Sequence, residues 1–216
     1  VAQARRFGAE MLVGQSVTGL RREDPYRVAV LAGGREVYSR SLVLSTGMAV
    51  RELDLPGVAS LVGRGIYYGA AMSEATLYRD QDVAILGGAN SAGQAALLFS
   101  TYARNVTVIV RAESLGARMS NYLVERIFKT GNIRVLTGVE LTEARGDGHL
   151  QQICTKDVAT GAPSTLDVAA LFVFIGVAPR TEAFAGFVEL DAKGCILTGP
   201  DLPRPIRDWP LERDPM

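Results

Sequence analysis

The residues of this chain with the clearest chemical potential form a glycine-rich turn, Gly-Gly-Ala-Asn-Ser-Ala, at 87–92. The apolar residues 83–86 precede the turn, and an apolar pattern typical of a helix follows over 93–103. A helix that begins directly after such a turn presents free backbone N–H groups and a positive dipole end, which suit a pyrophosphate. Together with an apolar strand at 106–110, the segment is typical of a dinucleotide-binding βαβ unit.

The spacing of small residues in the turn departs from the usual G-x-G-x-x-G/A pattern. With Gly87 in the first position, Ala89 falls on the second and Ala92 on the third. The second position is where the backbone approaches the phosphates, so the methyl group of Ala89 weakens the motif. A simple strand-to-helix turn is the alternative interpretation. The candidate cofactor-binding residues here are Gly87, Gly88, Ala89, Asn90, Ser91 and Ala92.

Arg111 follows the second strand, where NAD sites usually place an acidic residue that binds the ribose 2′-hydroxyl. A guanidinium instead suits a 2′-phosphate, through paired charge-assisted hydrogen bonds. The sequence therefore favours NADPH over NADH, with Arg118 as a second candidate. Two alternatives stay open, because Arg111 could be an ordinary solvated charge and Glu113 could serve NADH.

Composition argues against several classes of function. The 216 residues carry 23 basic and 23 acidic side chains, so no net charge favours nucleic acid or an acidic membrane surface. No apolar run reaches the length of a membrane span, and no signal peptide opens the sequence, so we expect a cytoplasmic protein. The cysteines, Cys154 and Cys195, have no metal-ligand spacing, and the single histidine, His149, is expected in a surface loop.

Strands and turns alternate on both sides of the βαβ unit. The predicted elements before it are a helix end within 1–10 and strands at 17–20, 26–31, 36–38 and 41–44. The predicted elements after it are a helix at 119–130 and strands at 133–136, 139–144, 150–155 and 169–174. The turn-rich segment 51–57 is typical of a linker between domains. We predict an α/β protein with domains at 1–52, 53–180 and 181–216.

The order of several motifs resembles the low-molecular-weight thioredoxin reductases, a branch of the FAD-dependent pyridine nucleotide-disulfide oxidoreductases. The segments that carry the resemblance are Phe7–Glu10, Leu42–Gly47, Leu53–Gly57, Val83–Ala92 and Phe172–Pro179. The resemblance implies a Rossmann-like, three-layer β/β/α NADPH domain beside part of an FAD domain. It also implies hydride transfer from NADPH to FAD in the parent flavoprotein.

The resemblance assigns further roles by position. Thr46 and Gly47 would face the flavin, and Ile175 and Gly176 would lie near the nicotinamide. The family holds FAD phosphates near its N-terminus and the flavin again near its C-terminus, and both segments lie outside this sequence. We therefore expect a fragment that is colourless when purified, with only a remnant of the FAD domain.

The sequence departs from the family at its redox pair. The two positions of the family's Cys-x-x-Cys fall on Ala70 and Ser73, and the acid that follows falls on Glu74. Dithiol exchange needs one thiolate to attack and a second thiol to resolve, so we expect no thioredoxin reduction by the family mechanism. The redox acceptor is unknown, and a non-catalytic NAD(P)H-binding module is the alternative. A homodimer stays open, and similarity to a cysteine-less branch also leaves open a fused cyclic-nucleotide-binding domain.

Overall fold

The computed structural model describes residues 2–69 and 72–203, which form two compact units. The first unit comprises 2–49 and 177–203, and the second comprises 50–69 and 72–176. The domain limits predicted at 52 and 180 stay a prediction. None of the helices in these residues has the length and apolar content needed to cross a bilayer.

An antiparallel three-stranded meander dominates the first unit. Its strands pair in the order β1-β2-β3, and Val28 and Leu31 of the central strand are buried. A separate two-stranded pairing joins β4 to β13. The elements are α1 (Ala2–Arg6), β1 (Val17–Glu23), β2 (Tyr26–Leu31), β3 (Glu36–Ser39), β4 (Met48–Val50) and β13 (Val177–Pro179).

The prediction of a strand at 41–44 is wrong. Residues 41–47 adopt no regular secondary structure, and the strand that follows them, β4, begins at Met48. Val43 is 87% exposed, so the centre of this apolar run does not pack against the described residues. An apolar pattern forms a strand only where a neighbouring strand accepts its hydrogen bonds.

A parallel five-stranded sheet is the centre of the second unit. Its strands lie in the order β5-β12-β6-β7-β8. Strand β12, which comes last in the sequence, therefore lies between β5 and β6. The elements are α2 (Val58–Leu61), β5 (Ile66–Tyr68), α3 (Met72–Leu77), β6 (Asp82–Leu86), α4 (Asn90–Phe99), β7 (Asn105–Val110), α5 (Asn121–Lys129), β8 (Ile133–Thr137), β9 (Val139–Arg145), β10 (Gln152–Asp157), β11 (Pro163–Asp167) and β12 (Ala170–Val173).

Both faces of the parallel sheet are covered, which explains its nearly continuous apolar strands. Val83 and Ile85 of β6 belong to a core cluster with α3, α4 and α5, whereas Ala84 and Leu86 belong to a second cluster. That second cluster includes the antiparallel sheet β9-β10-β11. The layers are therefore β/β/α, which confirms the predicted fold class.

Several local predictions differ from the structure, and the short elements β4, α2, β5 and α3 have no predicted counterpart. Helix α4 begins at Asn90, before the predicted start at 93, because its first turn is polar and apolar periodicity does not detect it. Strand β11 has no counterpart among the predicted elements. It is largely exposed and pairs only with β10, so it lacks the buried apolar pattern on which the prediction depends.

Phe172 is the aromatic centre of the core on the helical side of the sheet. The side chain is fully buried, with its ring centroid 4.0 Å from Phe99, 5.4 Å from Tyr67 and 5.8 Å from Tyr78. The Tyr67 and Tyr78 hydroxyls share a hydrogen bond of 2.9 Å. This cluster joins β5, the end of α3, α4 and β12.

We expect Phe172→Ala to destabilise the second unit by about 3–5 kcal/mol, because it leaves a cavity among packed rings. Urea unfolding followed by circular dichroism measures the change. Phe128→Ala on α5 is the matched control, because Phe128 is 69% exposed and its removal should change stability by less than about 0.5 kcal/mol. Equal effects of the two substitutions would contradict the assignment of Phe172 to the core.

Candidate functional site

The turn after β6 requires glycine at its first position. Gly87 has φ +149°, and a Cβ built there would lie 2.6 Å from the carbonyl oxygen of Phe174. A Cβ at Gly88 would lie 2.7 Å from Cγ1 of Val110. The backbone of the turn therefore lies directly against the loop after β12 and the end of β7.

Helix α4 begins with a residue whose side chain cannot cap it. Ala89 is the N-cap residue, with an extended backbone at φ −108° and ψ 177°, and its methyl group accepts no hydrogen bond. The Oδ1 atom of Asn90 instead accepts hydrogen bonds of 2.8 Å from the Ser120 N–H and hydroxyl. Without a side-chain cap from the described residues, the N–H groups of the first turn are suited to an anion.

A cleft of about 640 Å³ opens at the carboxyl ends of β6, β7 and β12. The predicted site residues that line it are Gly87, Gly88, Ala89, Arg111, Arg118, Ile175 and Gly176. Ligands of open α/β sheets bind at this edge of the strands.

The other predicted site residues do not line the cleft. Ala92 is fully buried in the core beneath α4, and Ser91 is exposed outside the lining. Thr46 and Gly47 are exposed residues of the first unit, and the Gly47 carbonyl accepts a hydrogen bond of 3.2 Å from the Arg180 N–H. Their predicted role toward a flavin stays a prediction.

The sequence analysis did not assign seven of the residues that line the cleft: Leu86, Ile109, Val110, Ala112, Ser114, Ala117 and Phe174. Ser114 contributes a hydroxyl between Arg111 and Arg118 in the chain, and Phe174 closes the cleft beside Gly87. The position of Ser114 between two candidate arginines was an available signal. Phe174 directly precedes the predicted site residue Ile175, which was an available signal, but its contact with Gly87 depends on where β12 enters the sheet.

The mouth of the cleft is positively charged. Arg111 directly follows β7 and Arg118 ends a short 3-10 turn, and both side chains are exposed. The Nε atom of Arg111 lies 3.5 Å from Oε2 of Glu140. Glu113, which kept NADH open as an alternative, is exposed and does not line the cleft.

The two positions predicted for the redox pair, Ala70 and Ser73, hold no thiol. Ala70 lies outside the described residues, and the Ser73 hydroxyl donates a hydrogen bond of 2.9 Å to Glu74. Cys154 lies on β10, across the parallel sheet from α3, and burial raises the pKa of its thiol. Cys195 is an exposed residue of the first unit. No cluster of three metal-ligating side chains occurs in the ranges 2–69 and 72–203.

Comparison with known proteins relates the chain to redox enzymes. The family model for pyridine nucleotide-disulphide oxidoreductases matches residues 2–203. Thioredoxin reductase of Mycolicibacterium smegmatis is 35% identical over 90% of this chain and 61% of its own length. Thioredoxin reductase of Streptomyces coelicolor is 34% identical over 90% of this chain and 59% of its own length.

A solved structure shows the same relation. The crystal structure of Lactococcus lactis thioredoxin reductase matches with a TM-score of 0.74 and 26% identity, covering 85% of this chain and 60% of that protein. The chain therefore spans about three fifths of the length of the proteins that it matches.

We expect Gly87→Ala to destabilise the second unit by about 1–3 kcal/mol, because its backbone conformation is almost restricted to glycine. Overlap with the Phe174 carbonyl adds to this cost. Chemical unfolding measures the effect. Gly131→Ala is the control, because a Cβ there meets no atom within 4 Å. If both substitutions leave stability unchanged, the turn does not have the close approach described above.

Proposed function

Because the chain belongs to the pyridine nucleotide-disulphide oxidoreductase family, we propose that its second unit binds NADPH in an FAD-dependent oxidoreductase. The observation that carries this proposal is the cleft of about 640 Å³. It combines a helix N-terminus without a side-chain cap and arginines at its mouth, at the carboxyl edge of a parallel sheet.

The residues of the cleft fit the parts of a dinucleotide. A Cβ at Gly87 or Gly88 would overlap Phe174 or Val110, so the two glycines allow the tight turn that places the start of α4 at the cleft, where a pyrophosphate would bind. The first N–H groups of α4 are the donors for its oxygens. Arg111 and Arg118 would bind a 2′-phosphate, and the backbone at Ile175 and Gly176 would line the nicotinamide end.

With both cofactors bound, the chemistry they supply is hydride transfer from the nicotinamide to the flavin. The residues of this chain bind and orient the nucleotide, and none of them needs to donate or accept a proton in that step. Thr46 and Gly47 are proposed to lie beside the flavin in the longer protein.

The electron acceptor is proposed to differ from the disulfide loop of the thioredoxin reductases. Ala70 and Ser73 supply no thiolate, so exchange with a dithiol partner cannot proceed through this loop. The same observation favours the second candidate function, an NAD(P)H-binding module without turnover. The cytoplasmic location, the homodimer and the fused cyclic-nucleotide-binding domain stay predictions from the sequence.

An anaerobic titration of the full-length protein with NADPH tests the enzyme against the binding module. We expect a visible flavin spectrum that bleaches on addition of one equivalent of NADPH. Binding of NADPH to a protein that carries no flavin would instead favour the module. Failure to bind NADPH would overturn both proposals.

We expect Arg111→Ala to weaken NADPH binding by about 10- to 150-fold, equivalent to about 1.5–3 kcal/mol for a hydrogen bond to a charged group. NADH binding should change by less than about twofold, because NADH has no 2′-phosphate. Calorimetry with NADPH and with NADH measures the change in each affinity. Arg134→Ala is the control, since Arg134 is an exposed residue of β8 outside the cleft. An equal loss for NADPH and NADH would remove Arg111 from this role.

We expect the double substitution Cys154→Ser and Cys195→Ser to leave NADPH-dependent reduction of an artificial electron acceptor unchanged in the full-length protein. The reason is that the buried Cys154 thiol, with its raised pKa, is a poor nucleophile, and that neither cysteine falls at the predicted positions of the redox pair. Steady-state turnover of the variant beside the unmodified protein measures this. Activity that depends on either cysteine would mean that the redox pair has been misplaced.

A further inference from the structure

The carboxylate of Glu140 contacts Arg111, one of the two arginines at the mouth of the cleft. It lies on β9, and its Oε2 is 3.5 Å from Nε of Arg111. Nε is the guanidinium atom nearest to the carboxylate, and no hydrogen bond joins Arg111 to Glu140 among the described residues, so the two terminal nitrogens remain available. Those two nitrogens are the pair that commonly binds a phosphate in a fork.

The backbone holds Glu140 in this place. The Gly138 N–H, in the turn between β8 and β9, donates a hydrogen bond of 3.0 Å to the Ala112 carbonyl, beside Arg111. The Gly138 carbonyl accepts a hydrogen bond of 2.8 Å from the Val158 N–H, just after β10. The loop that carries Arg111 is thereby fixed to the sheet that carries Glu140.

Lys156 holds the other oxygen of the same carboxylate. Lys156 lies opposite Glu140 in the β9–β10 pairing, and its Nζ is 2.9 Å from Oε1. The hydrogen bond from Lys156 lowers the pKa of Glu140, and the nearby charge of Arg111 lowers it further, so the carboxylate stays ionised. Because the lysine charge offsets the carboxylate charge, the pair leaves the positive charge of Arg111 largely intact.

An exposed ion pair of this kind contributes little to stability. Arg111 is itself 80% exposed, so without a partner its long side chain would sample many rotamers. A carboxylate that is held at one oxygen and contacts Nε with the other limits that freedom before a ligand binds. Preorganisation of this kind improves affinity without adding a direct contact to the ligand.

We propose that Glu140, held by Lys156, is a positioning residue that orients Arg111 toward a ribose 2′-phosphate in the cleft. This inference rests on the proposed function, because it assigns a part of the same nucleotide site. It makes Glu140 a determinant of the preference for a 2′-phosphorylated nucleotide, although the residue itself is acidic.

Calorimetry with adenosine 2′,5′-bisphosphate and with AMP tests the proposal. We expect Glu140→Ala to reduce the ratio of the two affinities by about three- to tenfold, with AMP binding unchanged. The double substitution Glu140→Ala and Lys156→Ala keeps the net charge of the pair and should lower the ratio equally. Glu143→Ala is the matched control, because Glu143 lies on the same strand and pairs with Arg145 at 2.6 Å.

The charge-matched variant separates positioning from electrostatics. If Glu140 acts only as a repulsive charge, Glu140→Ala alone raises the ratio and the double variant leaves it unchanged, which overturns the proposal. If Arg111→Ala abolishes the preference while both Glu140 variants retain it, the nucleotide site stands and the positioning role is wrong. If the unmodified chain binds neither probe, the proposed function itself fails. Unchanged circular dichroism in each variant shows that the fold is intact.

Discussion

The close approach of two loops at the carboxyl edge of the parallel sheet determines the geometry of the site. The chain leaves β6 at Gly87, where a side chain would overlap the carbonyl of Phe174. Two backbone hydrogen bonds fix this crossing, from the Gly87 N–H to Ile109 at 3.0 Å and from the Phe174 N–H to Leu86 at 2.7 Å. Both loops border the cleft, so an added atom between them would move the start of α4 or open the cleft.

The same crossing explains why alanine is tolerated where the dinucleotide motif usually has its second glycine. Ala89 follows the crossing with an ordinary extended backbone, at φ −108°, which any residue adopts. Ala89 lines the cleft, so the alanine in place of the second glycine takes up space close to where a ligand would bind. The constraint of the motif is therefore concentrated at Gly87, whose conformation excludes other residues.

The sequence predicted the parts of the fold that depend on neighbouring residues. The βαβ unit was found because β6, α4 and β7 follow one another and each has a clear period. The insertion of β12 between β5 and β6 could not be predicted, because strand order depends on packing between distant segments. The wrong strand at 41–44 has the same origin, since an apolar pattern does not specify its hydrogen-bonding neighbour.

The same distinction between local sequence and distant packing applies to the residues of the candidate site. Gly87 and Arg111 were identified from the sequence because each sits at the end of a predicted strand. Phe174 and Glu140 were not identified, because each reaches the site through tertiary contacts, one with the turn after β6 and the other across the β8–β9 turn. Only the packing of two sheets brings the carboxylate of Glu140 to the arginine.

The absence of thiols at Ala70 and Ser73 is compatible with this architecture, because the segment that carries them is anchored on either side. Tyr67 and Tyr78 flank the segment in the chain, share a hydrogen bond and both pack on Phe172. The cleft draws its residues from the ends of β6, β7 and β12 and none from that segment. An alanine at 70 and a serine at 73 therefore leave the set of residues that line the cleft unaffected. Under the proposed function, nucleotide binding and disulfide exchange would therefore depend on separate sets of residues.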